Sequence, residues 1–267
     1  MITSTRIGRY GNLCNSMFQY AALVGMSKKT GFEFCIPHNE TYYEPNYGCN
    51  NTSIWDGFDL KVQELDLGIL KFKEVEFPFE YKDIRVKDFT DMKGFFQSEK
   101  YFENADEEVK QQFEIKDEFK EPIDKKIEAG DYPDPRRCTS LHLRLGDYTR
   151  KRAYHPSQSA SYWQQAVSKA ALDHIVIFSD EIEQAKLMFK GDNRVVYAEE
   201  ENPFSALYHQ SLCRNHIICN STFGWWGAKL GEWNNPVDKV VVAPKMWFGP
   251  AHDLSSEDII PDRWIKL

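Results

Sequence analysis

Arg144, Lys245 and the run Asn220-Ser221-Thr222 are the groups in this chain best suited to hold a diphosphate, and each closely follows an apolar run of strand length. The run 139–143 leads into Arg144, Gly146 and Asp147, and the run 174–178 leads into Ser179 and Asp180. The run 216–219 leads into Asn220, Ser221 and Thr222, and the run 239–243 into Pro244 and Lys245. Ligands of an open α/β sheet bind outside the carboxyl ends of its strands, so these residues would share one rim. A guanidinium can grip a phosphate with two parallel hydrogen bonds, and a helix amino end favours an anion.

Each residue also has a plainer reading. Asn220, Ser221 and Thr222 can simply cap the following helix, and Arg144 can close its loop by pairing with Asp147. Asp180 can accept from a ribose or base, or it can serve as the N-cap of the helix after it. For a proton acceptor, Asp147 comes first and His142 second, since either titrates usefully if its neighbours shift it. Phe223, Trp225 and Trp226 can stack on a sugar or base, or belong to the core.

Several chemistries lose support. The chain has no Gly-x-x-x-x-Gly-Lys-Ser/Thr loop and no Gly-x-Gly-x-x-Gly fingerprint, and no Asp-x-Asp pair to hold a divalent ion against a diphosphate. No carboxylate pair stands out as the acid and nucleophile of a glycosidase. The cations facing a diphosphate would then be Arg144 and Lys245, and no metal is expected.

The elements that must position these groups are legible from pattern. After Cys138, apolar runs at 139–143, 174–178, 194–197, 216–219 and 239–243 alternate with helical segments near 161–171, 181–189, 203–213 and 223–230. Such alternation predicts a parallel sheet with helices on its faces. Asn202-Pro203 reads as a cap followed by proline at the first helical position. Upstream, Phe18, Ala21, Ala22, Gly25 and Met26 recur at helical spacing until Gly31, and 32–36 alternates as a half-buried strand. Residues 38–93 read as irregular with short strands. The charged stretch 103–137 ends in DYPDPRR and predicts solvated helix running into a domain junction, so the domains are set at 1–137 and 138–267.

Composition bounds the partners. The 267 residues carry a net charge of -8, which disfavours a nucleic-acid partner, while 42% hydrophobic and 14% aromatic residues suffice for two modest cores. The six cysteines show no Cys-x-x-Cys pairing, so buried thiols are expected rather than a zinc site or disulfide framework. No run is long enough to span a bilayer and residues 1–8 show no apolar signal region, so a cytoplasmic chain without a membrane anchor is expected. The pattern leaves the oligomeric state and the acceptor open.

Four segments then occur in one order: NLCNSMFQYAAL at 12–23, FFQSEKYF at 95–102, HLRLGDY at 142–148 and NSTFGWWGAKL at 220–230. FSDE at 178–181, VVVAPKMWF at 240–248 and PDRWIKL at the end support them. With these segments the whole chain resembles the α-1,2-fucosyltransferases of glycosyltransferase family 11. The resemblance implies a GT-B-like α/β fold, two Rossmann-type domains facing a cleft, with the donor GDP-fucose held mainly by the second and the acceptor mostly facing the first. It implies inverting, metal-independent transfer of L-fucose, with the 2-OH of a terminal β-galactoside as the expected acceptor hydroxyl. Arg144 would neutralise the diphosphate, Asn220, Ser221 and Thr222 would cradle it, and Asn15, Phe18 and Gln19 would line the cleft from the first domain.

Two departures qualify the resemblance. Where the family reads Gly-Gly-Leu-Gly-Asn-Gln-Met-Phe-Gln, this chain has Asn12 and Cys14 at expected glycines and Ser16 at the first glutamine. If Cys14 had to adopt a positive φ it would be strained. The second arginine of the family's His-x-Arg-Arg-Gly-Asp is Leu145, which keeps open another GDP-sugar or linkage, or a protein that binds sugar nucleotide or glycan without turnover.

Overall fold

Gly31 ends the first helix in the left-handed conformation the sequence predicts, at φ 75°, where only a residue without Cβ sits unstrained. The computed structural model describes residues 1–37, 52–65, 71–252 and 254–267. They form two compact units, Met1–Lys116 with Glu257–Ile259, and Asp117–Ser256 with Ile260–Leu267. The boundary therefore lies at Lys116/Asp117 instead of 137/138.

The first unit is a parallel sheet around β1 (Ile2–Thr3). One side of β1 pairs with β5 (Thr90–Lys93), which in turn pairs with β4 (Lys73–Glu76). On the other side Ile2 bridges to Phe34, next to β2 (Cys35–Pro37), which pairs with β3 (Gln63–Leu65). Helix α1 (Leu13–Thr30) runs between β1 and β2. The apolar stripe read from the sequence understates its burial, because Met17, Tyr20, Leu23 and Val24 are inside as well. Each large side chain among these contributes roughly 1.5–3 kcal/mol by leaving water. Gly25 lets the helix touch the next segment, since a Cβ there would lie 2.1 Å from the Tyr101 carbonyl oxygen.

Cys14 falls inside the first turn of α1, and the positive φ values sit at Gly8 (77°) and Gly11 (83°) instead. The loop before α1 thus takes its turns at its own glycines, and Cys14 carries no strain. The strand expected at 32–36 is shifted to Cys35–Pro37. Of the region 38–93, the described residues hold a one-turn helix α2 (Ile54–Gly57) besides β3, β4 and β5, and expectations for 38–51 and 66–70 lie outside the described residues. Two further helices follow, α3 (Asp106–Gln112) in the first unit and α4 (Asp117–Ala129) in the second.

The second unit carries a parallel sheet of six strands in the order β11-β10-β9-β6-β7-β8. In chain order these are β6 (Cys138–Leu143), β7 (His174–Ser179), β8 (Val195–Tyr197), β9 (Asn215–Ile217), β10 (Val241–Ala243) and β11 (Ile265–Lys266). Helices α5 (Ala160–Ala170), α6 (Ile182–Met188), α7 (Pro203–Leu212) and α8 (Thr222–Asn234) connect the strands from β6 to β10. All six residues of β6 are buried, as a central strand covered on both faces requires. Asn202 caps α7 as predicted, its Oδ1 accepting from the Phe204 amide at 2.8 Å. Helix α4 joins this unit through a Phe119–Phe204 ring contact and a hydrogen bond from the Tyr208 hydroxyl to Asp124.

Candidate active site

The chain leaves β6 toward β7 and β8 on one side and returns to β9 on the other, so the topological switch of the second sheet lies between β6 and β9. The carboxyl ends of two such strands are where open α/β sheets take ligands. Arg144 follows β6, and Asn220, Ser221 and Thr222 follow β9, so the sequence-predicted rim forms at this point. The hydroxyl of Tyr148, in the turn after β6, donates to the Asn220 carbonyl oxygen at 3.1 Å and ties the two loops together.

Arg144 stands between two carboxylates. Its Nε and Nη2 donate to Asp147 Oδ1 at 3.1 and 2.9 Å, and its Nε lies 3.3 Å from Asp180 Oδ2. Burial opposes the charge, but Asp180 and Asp147 outweigh it and hold the guanidinium protonated. The side chain keeps 28% exposure, so part of the fork remains open to a ligand. Arg144 also sits over the Tyr148 ring, 5.9 Å from its centroid, and that ring stacks on His155.

Asp180 does not cap α6. Glu181 occupies the N-cap position, with no side-chain cap bond, and the amide of Glu181 donates to Ser179 Oγ at 3.0 Å. The Asp180 carboxylate instead accepts from the amides of Leu145 at 2.8 Å and Gly146 at 3.1 Å. Those amides and Arg144 outbid a helix end because they converge on one carboxylate. Gly146 has to be glycine for this approach, since a Cβ would lie 2.7 Å from Asp180 Oδ2.

Beside Arg144, Ser221 caps α8, its Oγ accepting from the Phe223 amide at 3.4 Å, and Thr222 opens the helix. The first turn of such a helix presents amides to an anion. The Asn220 side chain, 2% exposed, accepts from Gln158 Nε2 at 3.1 Å and donates to the Trp247 carbonyl at 3.0 Å. It therefore fixes the turn, with both ends of its amide engaged.

His142 lies under α8, 5% exposed, with Nδ1 3.5 Å from Cys219 Sγ and its ring against Phe223. Burial, then the nearby Arg144 charge, pushes it down to about 3. It is a neutral packing element and a poor proton acceptor. Asp147 is the more open group, at 44% exposure, and Lys151 Nζ lies 3.8 Å from its Oδ2. Lys245 follows β10, exposed, its amide donating to the Leu267 carbonyl. Leu145 packs its side chain against the apolar core around Leu143 and Ile177.

Asn15 and Gln19 belong to the first unit, on the opening turns of α1. Asn15 Oδ1 accepts from Gln97 Nε2 at 2.8 Å, and Gln19 Nε2 donates to the Tyr10 carbonyl at 3.3 Å. Sequence reasoning did not single out Tyr148, Gln158 or Gln97. Tyr148 and Gln97 lay inside quoted segments, but only the fold shows what they touch.

Two parallel α/β units, the second with an arginine and a helix amino end at its switch point, define a GT-B-like glycosyltransferase fold. The chain matches the glycosyl transferase family 11 profile over residues 2–267 and belongs to that family. It is 27% identical to an α-1,2-colitosyltransferase of Escherichia coli, over 96% of each chain. It is also 34% identical, over 48% of this chain and 44% of the relative, to the O-antigen biosynthesis glycosyltransferase WbnK of Escherichia coli. Among solved structures it shares its fold with the α-1,6-fucosyltransferase NodZ soaked with GDP-fucose, at TM-score 0.55 and 13% identity over 86% of this chain and 91% of that one. The fold of POFUT1 in complex with GDP is similar at TM-score 0.52 and 10% identity, over 90% of this chain and 98% of that one. No helix among the described residues is long and apolar enough to cross a membrane.

Proposed function

We propose that this glycosyltransferase moves L-fucose from GDP-fucose to a hydroxyl of a glycan, the 2-OH of a terminal β-galactoside first, without a metal ion. The observation that carries the reading is the half-open Arg144 fork beside the amino end of α8, at the β6/β9 switch of the second unit. In this reading the outer guanidinium nitrogens of Arg144 and the first-turn amides of α8 hold the diphosphate, with Lys245 as a second cation. Electrostatic stabilisation of the leaving group is the largest task here, because charge builds on the diphosphate as the sugar departs.

The acceptor hydroxyl oxygen forms the new bond to the anomeric carbon as the bond to the diphosphate oxygen breaks, and that electron pair leaves on GDP. The hydroxyl proton goes to Asp147. When phosphate engages Arg144, Asp147 is released from its ion pair and can take the proton, with Lys151 close by to steady the carboxylate. Asp180 keeps the loop in place and His142 stays neutral.

A second reading, transfer of another sugar from its GDP conjugate, is favoured by the full-length similarity to a colitosyltransferase and by Leu145 in place of an arginine. The test follows GDP release from GDP-fucose and GDP-mannose, with and without lactose, in EDTA. Lactose-dependent release from GDP-fucose supports the first reading. Release from GDP-mannose alone supports the second, and GDP binding without release from either would remove both.

A further inference from the structure

Tyr148 does more than tie the turn after β6 to the turn after β9. Its hydroxyl is fixed on the Asn220 carbonyl oxygen, the Arg144 guanidinium lies over its ring, and the His155 imidazole stacks on that ring. The stack is close and flat, with 4.5 Å between centroids and 11° between planes. The phenol is thus held at its tip by one loop and on its face by another residue of its own. His155 is half-buried, although residues 150–154 just before it are all exposed. From this exposed loop one ring turns inward, onto the residue that carries the arginine.

A second loop holds His155 in place. After β10, the Gly249 amide donates to the Tyr154 carbonyl at 2.8 Å and the Ala251 amide to the Ala153 carbonyl at 2.9 Å. Gly249 has to be glycine for this approach, since a Cβ there would lie 2.3 Å from the Ala153 carbonyl oxygen. His252, in the same segment, brings its ring to 5.7 Å from His155 and 5.0 Å from Tyr154. The His155 amide also donates back to the Lys151 carbonyl at 2.9 Å. The ionisable groups around the imidazole are His252, Asp147, Lys151 and Arg144, besides the Tyr148 ring it lies on. Burial first and His252 second hold it below its ordinary value, Lys151 and Arg144 add to them, and Asp147 opposes. At pH 7 and above, an uncharged plane therefore lies against Tyr148.

Such support matters for an arginine. A long side chain loses rotamer freedom when a ligand immobilises it, so a site that holds the guanidinium beforehand binds more tightly. Asp147 and Asp180 hold Nε and Nη2, and the Tyr148 ring bounds the guanidinium from a further side. Without a plane stacked on it, that ring could turn about its Asn220 tether and take the support away. We propose that His155 is a positioning residue for the donor diphosphate: stacked on Tyr148, it keeps that ring under Arg144 and so presets the guanidinium for phosphate. That Arg144 holds a diphosphate rests on the transfer reading above. His155 itself needs no contact with the nucleotide, and a flat uncharged ring is all the role requires.

The test titrates the whole protein with GDP in EDTA, for the wild type, His155→Ala, His155→Asn and His155→Phe, and repeats His155→Ala on an Arg144→Ala background. Thermal midpoints are measured on the same samples. His155→Ala and His155→Asn should each weaken GDP about fivefold, the scale of a lost aromatic stack, and His155→Phe should stay within about twofold of the wild type. On the Arg144→Ala background, His155→Ala should cost less than about twofold more, because both changes remove one interaction. Two variants without a ring keep the test decisive should one fail to fold. Unchanged GDP affinity in both overturns the proposal, as does a His155→Phe variant as weak as His155→Ala. A further fivefold loss on the Arg144→Ala background also overturns it, since His155 would then act on GDP without the arginine. A wild type that binds no GDP removes the donor reading and this proposal together, whereas GDP binding that depends on Arg144 and ignores His155 removes this proposal alone.

Discussion

Asp180 reaches back across 35 residues to Leu145, accepting from its amide at 2.8 Å, and from the same carboxylate it steadies Gly146 and Arg144. An acidic residue one strand over thus sets the shape of the loop that carries the arginine. The arginine is shared between that anchor and Asp147, which engage Nε and Nη2 and leave Nη1 as the nitrogen without a carboxylate on it.

Removing the anchor should act on the loop first. Asp180→Asn has one acceptor for two amides and no charge for Arg144, so stability should fall by about 2 kcal/mol, or roughly 4–8 °C in the thermal midpoint. Turnover should fall by about tenfold or more. Gly146→Ala forces a Cβ against the same carboxylate and should give a similar loss through crowding. Calorimetry and GDP-release assays read both, and wild-type values for either variant would remove Asp180 from this role.

Leu145→Arg restores the family's second arginine in sequence, yet the Leu145 side chain packs inward against the core. The variant should lose about 1 kcal/mol, a drop of roughly 2–4 °C, and gain less than about twofold in GDP affinity. A tenfold gain measured by titration calorimetry would show that the new guanidinium reaches the diphosphate and that the loop is not held as described.

Acid should destabilise this protein from near neutrality. His142 is held down to about 3 by burial and by Arg144, and His216, hydrogen-bonded to Ser140 at 2.7 Å, is held well below its ordinary value by burial and by Lys239. Above about pH 6.5 both are neutral folded and unfolded, and neither affects stability. Below that the unfolded chain takes up protons that the native state refuses, so stability falls with pH by about 1.4 kcal/mol per unit for each histidine. By pH 5 each histidine should have removed about 2 kcal/mol, and His142→Asn should lessen the slope by about one proton's worth. Denaturant midpoints between pH 7.5 and 5 check this, and a flat profile there would mean the rings titrate normally.

The second unit is legible in the sequence because its central strands β6, β7, β9 and β10 are buried over most of their length and read as apolar runs, each followed by polar residues at its tip. The position of Arg144 beside Asn220, Ser221 and Thr222 follows from that alternation. What pattern could not reveal is reach. Spacing alone makes Asp180 a helix cap, because nothing local shows a carboxylate turning to amides on the neighbouring strand. The boundary at Lys116 was hidden because α4 is charged over most of its surface and joins its unit through Ile123 and a few contacts such as Phe119 with Phe204. Tyr148 sat inside a quoted segment, but a ring shared by a guanidinium and an imidazole exists only once the chain has folded around it.

The central claim is that Arg144 holds a diphosphate at the β6/β9 switch without help from a metal. Titration calorimetry of GDP in EDTA, on the wild type and on Arg144→Ala, tests it most directly. The account predicts that the wild type binds GDP under chelation and that the variant loses about a hundredfold in affinity, a loss of about 2.7 kcal/mol, while its thermal midpoint moves by less than about 4 °C. GDP bound equally by the variant, or by the wild type only when a divalent ion is returned, would contradict it.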